Sequence, residues 1–225
     1  MNSKKQERNK IIVTRDGSHS LYVPGLNEHY HSVHGAIAES RHIFIRNGLQ
    51  AFKKPVIKIL ETGFGTGLNM LLTFLESQKT RQSIYYETIE KYPVPFHIIQ
   101  QLNYPAMLNS GQETFEHMHR AGWNKQISLD RHFVFKKIQG DIKNFTIDTG
   151  IDIIYFDVFA PDVQPDLWEQ PIFDRLYKHL NAGGILVTYS AKGIVKRRLQ
   201  SAGFHVEKLP GPPGKREIIR ARKTE

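Results

Sequence analysis

Cysteine is missing from this 225-residue chain, and several chemistries leave with it. No disulfide framework, thiolate zinc site or cysteine-held iron–sulfur cluster can form, and no cysteine can act as a nucleophile. Apolar runs of about 18 residues are also missing, so no membrane-spanning helix is expected. The opening residues, M-N-S-K-K-Q-E-R-N-K, have no apolar stretch of the kind a secretory signal needs, which points to a cytoplasmic protein. No glycine loop runs on into G-K-S or G-K-T, and this excludes a Walker-type phosphate loop. Acidic residues are in short supply: 22 Asp and Glu against 31 Lys and Arg leave a net charge of +9. The resulting pI near 9.6 favours a polyanionic partner.

What is present is one regular alternation, in a chain long enough for a single substantial core. Residues 1–10 read as a flexible tail. Residues 11–50 read as an N-terminal extension. Within it, I-I-V-T-R-D-G-S-H-S-L-Y-V (11–23) predicts a hairpin around a D-G turn, and Ala36, Ile37, Ile43 and Phe44 predict a helix inside 27–47. From 51 to 225, apolar extended runs alternate with helical ones. Strands are expected at 56–60, 84–90, 132–138, 151–156 and 184–189, followed by a closing strand pair at 204–209 and 217–221. This alternation predicts an α/β fold whose mostly parallel sheet is covered on both faces, with one antiparallel strand at the edge.

The stretch E-T-G-F-G-T-G-L-N (61–69) follows the first of these strands, V-I-K-I-L. In a doubly wound sheet that turn is where a ligand sits. Gly63, Gly65 and Gly67 allow the backbone to turn sharply and approach the ligand without a Cβ. Glu90 closes the second strand, where a carboxylate can bind a ribose diol. The spacing G-x-G-x-G departs from the dinucleotide pattern G-x-G-x-x-G. Glu61, just ahead of the loop, would repel a pyrophosphate but favours a sulfonium and an ammonium. The loop therefore predicts S-adenosylmethionine rather than a nicotinamide cofactor. Asp141, in G-D-I after the third strand, is placed to accept a hydrogen bond from the adenine amino group.

The fourth strand, I-D-I-I-Y-F, ends in D-V-F-A-P (157–161), which sets Asp157 across from the glycine loop. There is no N-P-P-Y or D-P-P-Y, the signatures that methyltransferases acting on exocyclic base amines tend to carry. Without cysteine, methylation of a pyrimidine carbon through a covalent adduct is excluded. A carboxylate at this strand end suits an amine acceptor, which it can align, attract and deprotonate. Capping the following turn is the plainer role for Asp157. H-Y-H-S-V-H (29–34) and H-M-H (117–119) have metal-ligand residue types but no H-E-x-x-H pattern, so no metal is expected. His29, His31 and His34 are read as polar surface near the pocket or as turn caps. Tyr30, Phe159 and Trp168 are candidates for stacking on a base, with the core as the alternative place for Trp168.

Taken in order, E-T-G-F-G-T-G-L-N, I-E-K-Y-P, G-D-I, Y-F-D-V-F-A-P, P-D-L-W, A-K-G-I-V-K-R-R-L-Q-S-A-G-F and P-G-K-R-E resemble the methyltransferase domain of the MnmC family. T-R-D-G-S and E-H-Y-H-S-V-H-G-A-I-A-E-S extend the resemblance toward the N-terminus. That family makes 5-methylaminomethyl-2-thiouridine at the wobble position of tRNA. The resemblance implies a Rossmann-like S-adenosylmethionine-dependent methyltransferase fold with a seven-stranded sheet and an antiparallel final strand. It implies cofactor contacts at Glu61, Gly63, Phe64, Gly65, Glu90, Lys91 and Asp141, to which Gly67 and Asn69 of the same loop are added. It places Asp157 at the acceptor amine. It makes Lys192, Lys196, Arg197, Arg198, Lys215 and Arg216 candidates for tRNA phosphate contacts. Tyr30 and Phe159 complete the substrate-binding set. Bifunctional members also carry a flavin-dependent oxidase domain. With no second glycine fingerprint, this chain is expected to be a stand-alone form acting on a preformed 5-aminomethyl uridine. The resemblance leads to an expectation of glycine at the position where this chain has Val158.

The sequence thus predicts S-adenosylmethionine-dependent N-methylation of the 5-aminomethyl group of tRNA wobble uridine. The expected partner is the anticodon region of tRNA, with no membrane and no obligatory protein partner. Two alternatives stay open: a small-molecule amine N-methyltransferase, and a non-catalytic tRNA-binding module with a vestigial cofactor pocket. Salt dependence separates the first from a tRNA enzyme, and cofactor binding separates the second.

Overall fold

The computed structural model describes residues 9–146 and 148–224, so most of the tail expected at 1–10 lies outside the described residues. The chain enters through a three-stranded antiparallel sheet: β1 (Lys10–Val13), β2 (His19–Val23) and β3 (Glu28–His29). β1 and β2 form the expected D-G hairpin, with Ile11 opposite Leu21. Asp16 ties the turn, accepting from the Thr14 hydroxyl (2.8 Å), the Ser18 N–H (3.0 Å) and, from further along the chain, the Ala38 N–H (2.9 Å). That last bond fastens the turn to the first turn of α1 (Ala36–Ser40). The helix expected within 27–47 therefore starts only at Ala36, because β3 and the Asp16 contacts occupy the residues before it. α1 runs on into a π-helical stretch over Arg41–Arg46, and Phe44 packs on Tyr155 of the central sheet (ring centroids 5.1 Å). Leu21, Ile43 and Phe44 lie in one buried cluster with Ile59 and Ile153, so the extension shares the core of the main sheet.

The main sheet is built from β4 (Val56–Thr62), β5 (Ser83–Glu90), β6 (Gln126–Ser128), β7 (Phe133–Gln139), β8 (Ile151–Phe156), β9 (Leu180–Thr188), β10 (His205–Pro210) and β11 (Glu217–Arg222). The helices joining these strands are α2 (Leu68–Thr80), α3 (Phe96–Ile99), α4 (Tyr104–Leu108), α5 (Gln112–Arg120), α6 (Gln170–His179) and α7 (Gly193–Ser201). The strand order is β10-β11-β9-β8-β4-β5-β7-β6, parallel from β9 through β7. The expected α/β class is found, and two details of the sheet differ from expectation. There are eight strands rather than seven, because the short β6 adds itself antiparallel to the outer side of β7. The antiparallel β11 is not the edge strand but lies between β9 and β10. Burial explains the order: Ile218, Ile219 and Ala221 of β11 are fully buried, whereas no residue of β10 is. The more apolar strand takes the inner place.

Two apolar layers cover the sheet. One face packs Ile59, Tyr86, Phe133 and Tyr155 under α2, α5 and the extension, and the other packs Leu60, Ile154 and Phe156 under α6 and α7. β8 is buried at every position, as a central parallel strand must be. Its Asp152 is acceptable there because Lys54 (2.8 Å), the Lys58 N–H (3.0 Å) and Asn181 (2.9 Å) satisfy its carboxylate.

Trp168 belongs to the second layer and is not available to stack on a base. Its ring is fully buried against Phe156 (4.9 Å), and its Nε1–H donates to the Phe159 carbonyl (2.8 Å). The indole thereby props up the loop that follows β8. Trp168→Ala should cost about 3–5 kcal/mol through lost burial and the cavity left behind. Urea unfolding checks this, and an unchanged midpoint would show that the indole does not brace the loop.

Candidate active site

The carboxyl ends of β4, β5 and β8 open into one cleft of about 1750 Å³. It lies at the point where chain order reverses in the sheet, with β5 on one side of β4 and β8 on the other. The loop after β4, the ends of β5 and β7, the 157–160 loop, the extension and the β10–β11 turn all contribute to its walls.

The glycine loop takes left-handed backbone at Gly63, Gly65 and Gly67 (φ 89°, 50° and 74°). Close approach makes glycine necessary at two of them. A Cβ on Gly63 would lie 2.4 Å from the Asp157 carbonyl oxygen, and one on Gly67 would lie 2.5 Å from His119 Nε2. Gly63, Phe64, Gly65 and Asn69 line the cleft, while Gly67 turns toward His119 behind the loop. Glu90 is held at the rim by the N–H groups of Gly65 (3.1 Å) and Tyr92 (2.8 Å). A carboxylate can accept about four hydrogen bonds, so capacity for a diol remains. Lys91 and Asp141 meet across the cleft mouth in an ion pair of 2.9 Å.

Glu61 departs from expectation. It is fully buried behind the cleft wall, flanked in register by Thr88 and Tyr155 of the neighbouring strands. One oxygen accepts from the Thr88 hydroxyl (2.7 Å). The other, Oε1, has no partner within hydrogen-bond geometry among the described residues. Burial, with Asp157 nearby, pushes its carboxyl up to about 8. The group expected to offer negative charge to a cation is therefore mostly neutral at pH 7.

Asp157 sits where β8 gives way to its loop. Its N–H donates to the Thr62 carbonyl (3.1 Å), and its Oδ2 accepts from the Asn69 amide (2.8 Å). Burial pushes this carboxyl up to about 7; the Asn69 hydrogen bond and Lys215 oppose that rise, and the charge of Glu39 adds to it. A carboxylate in this range is matched to take a proton near neutral pH.

Of the expected substrate residues, Tyr30 and Phe159 meet edge to face in the cleft (5.2 Å, 76°), and Lys215 also lines it. Lys192, Arg197 and Arg216 do not. Lys192 pairs with Asp162, and Arg197 and Arg216 lie exposed on the outer surface. Arg198 is committed elsewhere, donating to the Trp168 carbonyl (2.8 Å). Sequence reasoning missed Glu39 and Tyr189, which both line the cleft. Tyr189 follows the end of the fifth parallel strand, a position that could have flagged it, whereas Glu39 sits in a helix outside the alternating pattern. Of the histidine clusters, His29 and His31 line the cleft, as their expected place near the pocket requires. His31 lies between Ser20 (3.3 Å) and Thr66 (3.5 Å), and burial pushes it down to about 4. His119 bonds the Thr66 carbonyl (3.2 Å) and is pushed down to about 3 by burial and Lys137. Among the described residues no three His, Asp or Glu side chains form a metal-binding group, and no helix is long and apolar enough to cross a membrane.

A family model described as S-adenosyl-L-methionine-dependent methyltransferase matches residues 105–224. The chain belongs to this methyltransferase family. Its cofactor is S-adenosylmethionine, and the residues present fit it. The glycine turn bares backbone to the cleft, and a buried oxygen on the same wall, Asn69 Oδ1, lacks a partner, which suits a ligand with an ammonium group. The methyltransferase is 30% identical over 227 residues to the "tRNA 5-methylaminomethyl-2-thiouridine biosynthesis bifunctional protein MnmC" of Cupriavidus metallidurans, covering 94% of this chain and 33% of that one. A protein of the same name from Pseudoalteromonas atlantica is 30% identical over 212 residues, covering 84% and 30%. The chain thus spans about a third of the length of these relatives, and the resemblance to MnmC carried by its motifs is borne out. Among solved structures, MNMC2 from Aquifex aeolicus superposes with a TM-score of 0.77 at 23% identity, covering 99% of this chain and 72% of that one. Streptomyces venezuelae DesVI gives 0.51 at 11%, covering 84% and 92%. Both likenesses are of fold.

The raised carboxyls of Glu61 and Asp157 have a consequence for stability. The folded protein binds these protons more tightly than the unfolded chain, so their contribution is complete below about pH 4 and is lost as pH rises through about 7 and about 8. In ligand-free protein, the neutral isostere Glu61→Gln should melt higher than wild type near pH 8 and decline less across the neutral range. A decline as steep as that of wild type would show that Glu61 is already ionised at neutral pH.

Proposed function

We propose that this methyltransferase moves the methyl group of S-adenosylmethionine to the amino nitrogen of a 5-aminomethyl uridine at the wobble position of tRNA, giving 5-methylaminomethyl-(2-thio)uridine. One observation carries the reading. Asp157, pushed up to about 7, stands at the acceptor side of the glycine-loop cleft. The relatives named for this modified nucleoside supply the substrate class.

Gly63, Phe64, Gly65 and Asn69 would hold the cofactor, Glu90 would take its ribose diol, and Lys91 and Asp141 would contact its adenosine part. Glu61 and Gly67 act from behind by shaping the loop. Bound S-adenosylmethionine supplies a methyl group on a sulfonium sulfur, open to direct displacement. The acceptor enters mainly as an ammonium, and the cleft favours it, with six carboxylates on its walls against two lysines. Asn69 keeps Asp157 Oδ2 in place, which leaves Oδ1 to align the amine and take its proton. Loss of that proton frees the nitrogen lone pair for attack.

Tyr30 and Phe159 flank the uracil ring. Lys192, Arg197 and Arg216, outside the cleft, suit phosphates of the anticodon arm, and the net charge of +9 favours that approach from a distance. A cytoplasmic location accompanies this reading.

Asp157→Ala should keep cofactor affinity and lower methyl transfer to tRNA bearing 5-aminomethyl uridine by ~10²–10⁴. In cells lacking the protein, nucleoside mass spectrometry should show 5-aminomethyl uridine accumulating. Undiminished transfer by the variant would remove Asp157 from the chemistry, and unchanged wobble nucleosides would refute the substrate.

A further inference from the structure

The acceptor side of the cleft already holds an alkylammonium, and it belongs to the protein. Lys215 reaches in from the β10–β11 turn until its Nζ lies 3.4 Å from Glu39 Oε1 and 4.6 Å from the centre of the Tyr189 ring. The turn is seated so as to aim it there. Gly214 has φ 85° and presses on the extension so closely that a Cβ would come within 2.1 Å of the His34 ring. The two groups that receive the ammonium are held as well. Glu39 Oε2 accepts from the Ser32 N–H (2.7 Å), and the Tyr189 hydroxyl donates to the Val158 carbonyl (2.8 Å), next to Asp157.

A carboxylate beside an aromatic face is a favourable setting for an ammonium. Glu39 is only 8% exposed, so leaving it as a bare anion would be costly. Some cation must stand against it at every stage. The substrate proposed above carries a group of the same chemistry as the lysine side-chain end, a primary ammonium on a CH₂.

Resting on that reading, we propose that Glu39 and the face of Tyr189 form the receiving site for the acceptor ammonium, with Lys215 as the internal cation that the substrate displaces. The exchange leaves Glu39 paired before and after. It frees Lys215 to turn outward, toward the phosphates of the bound arm. It also makes Glu39 a specificity-determining residue: a uridine without the aminomethyl group has no cation to offer, so Lys215 stays in place and blocks the pocket. Asp157 then receives an acceptor already selected for its amine.

The test measures binding rather than turnover. The full chain, loaded with S-adenosylhomocysteine, is titrated with two anticodon stem-loops that differ only in carrying 5-aminomethyl uridine or plain uridine. Wild type should prefer the first by ~10-fold or more, in keeping with a desolvated charge pair. Glu39→Gln should lose most of that preference while holding S-adenosylhomocysteine as wild type does. Lys215→Met should tighten binding of the 5-aminomethyl stem-loop, which no longer has a cation to displace. A wild-type preference that survives intact in Glu39→Gln overturns this inference alone. A wild type with no preference overturns both this inference and the substrate reading beneath it. If Glu39→Gln fails to bind S-adenosylhomocysteine, the lysine variant decides. Equal weakening of both stem-loops by Lys215→Met, the result a phosphate contact would give, overturns the proposal.

Discussion

The site depends on how β4 ends. Its last residue, Thr62, accepts from the Asp157 N–H at 3.1 Å, and the next N–H, of Gly63, donates to Ile89 of β5 at 2.9 Å. Those two bonds pin the start of the glycine loop between the strand that leads to Glu90 and the strand that leads to Asp157. The fit is tight enough that Gly63 has no room for a methyl group against the Asp157 carbonyl. Parallel strands in register bring the cofactor side and the acceptor side together, and the buried residues of β8 and its neighbours hold that register. Displacement of either strand by one residue would part the two halves of the chemistry.

Charge is distributed against the overall sign of the molecule. A chain of net +9 encloses a cleft with six carboxylates and two lysines. Burial raises one of these carboxyls, Asp157, to about 7, and raises Glu61 behind the wall to about 8. Glu39 avoids isolation through Lys215. Lys192, Arg197 and Arg216 remain outside, where water solvates them and a polyanion can reach them. Attraction at long range and selection at short range therefore fall to different residues.

Much of this was legible in the chain. The strand–loop–helix order, the glycine spacing and the acidic ends of the second and fourth strands follow from period and turn chemistry, which act over a few residues. Gly63, Gly65, Glu90, Lys91, Asp141 and Asp157 consequently all line the cleft. Other features were not legible. Glu39 and Lys215 are about 175 residues apart in sequence and meet only because the final turn folds onto the extension. Trp168 and Arg198 carried plausible binding chemistry, but their hydrogen bonds and burial spend it on the second apolar layer.

The sequence by itself determined the element order, the α/β class and the cofactor loop, because these arise from local periodicity and from backbone conformations that only glycine adopts readily. Only the tertiary structure decided that β11 lies inside β10, that Glu61 stands behind the cleft wall rather than in it, and that a lysine occupies the acceptor side. Each of those outcomes rests on which surfaces are buried against which. Burial, and the cost of leaving a charge or an apolar strand edge in the wrong medium, is settled by packing across the whole chain.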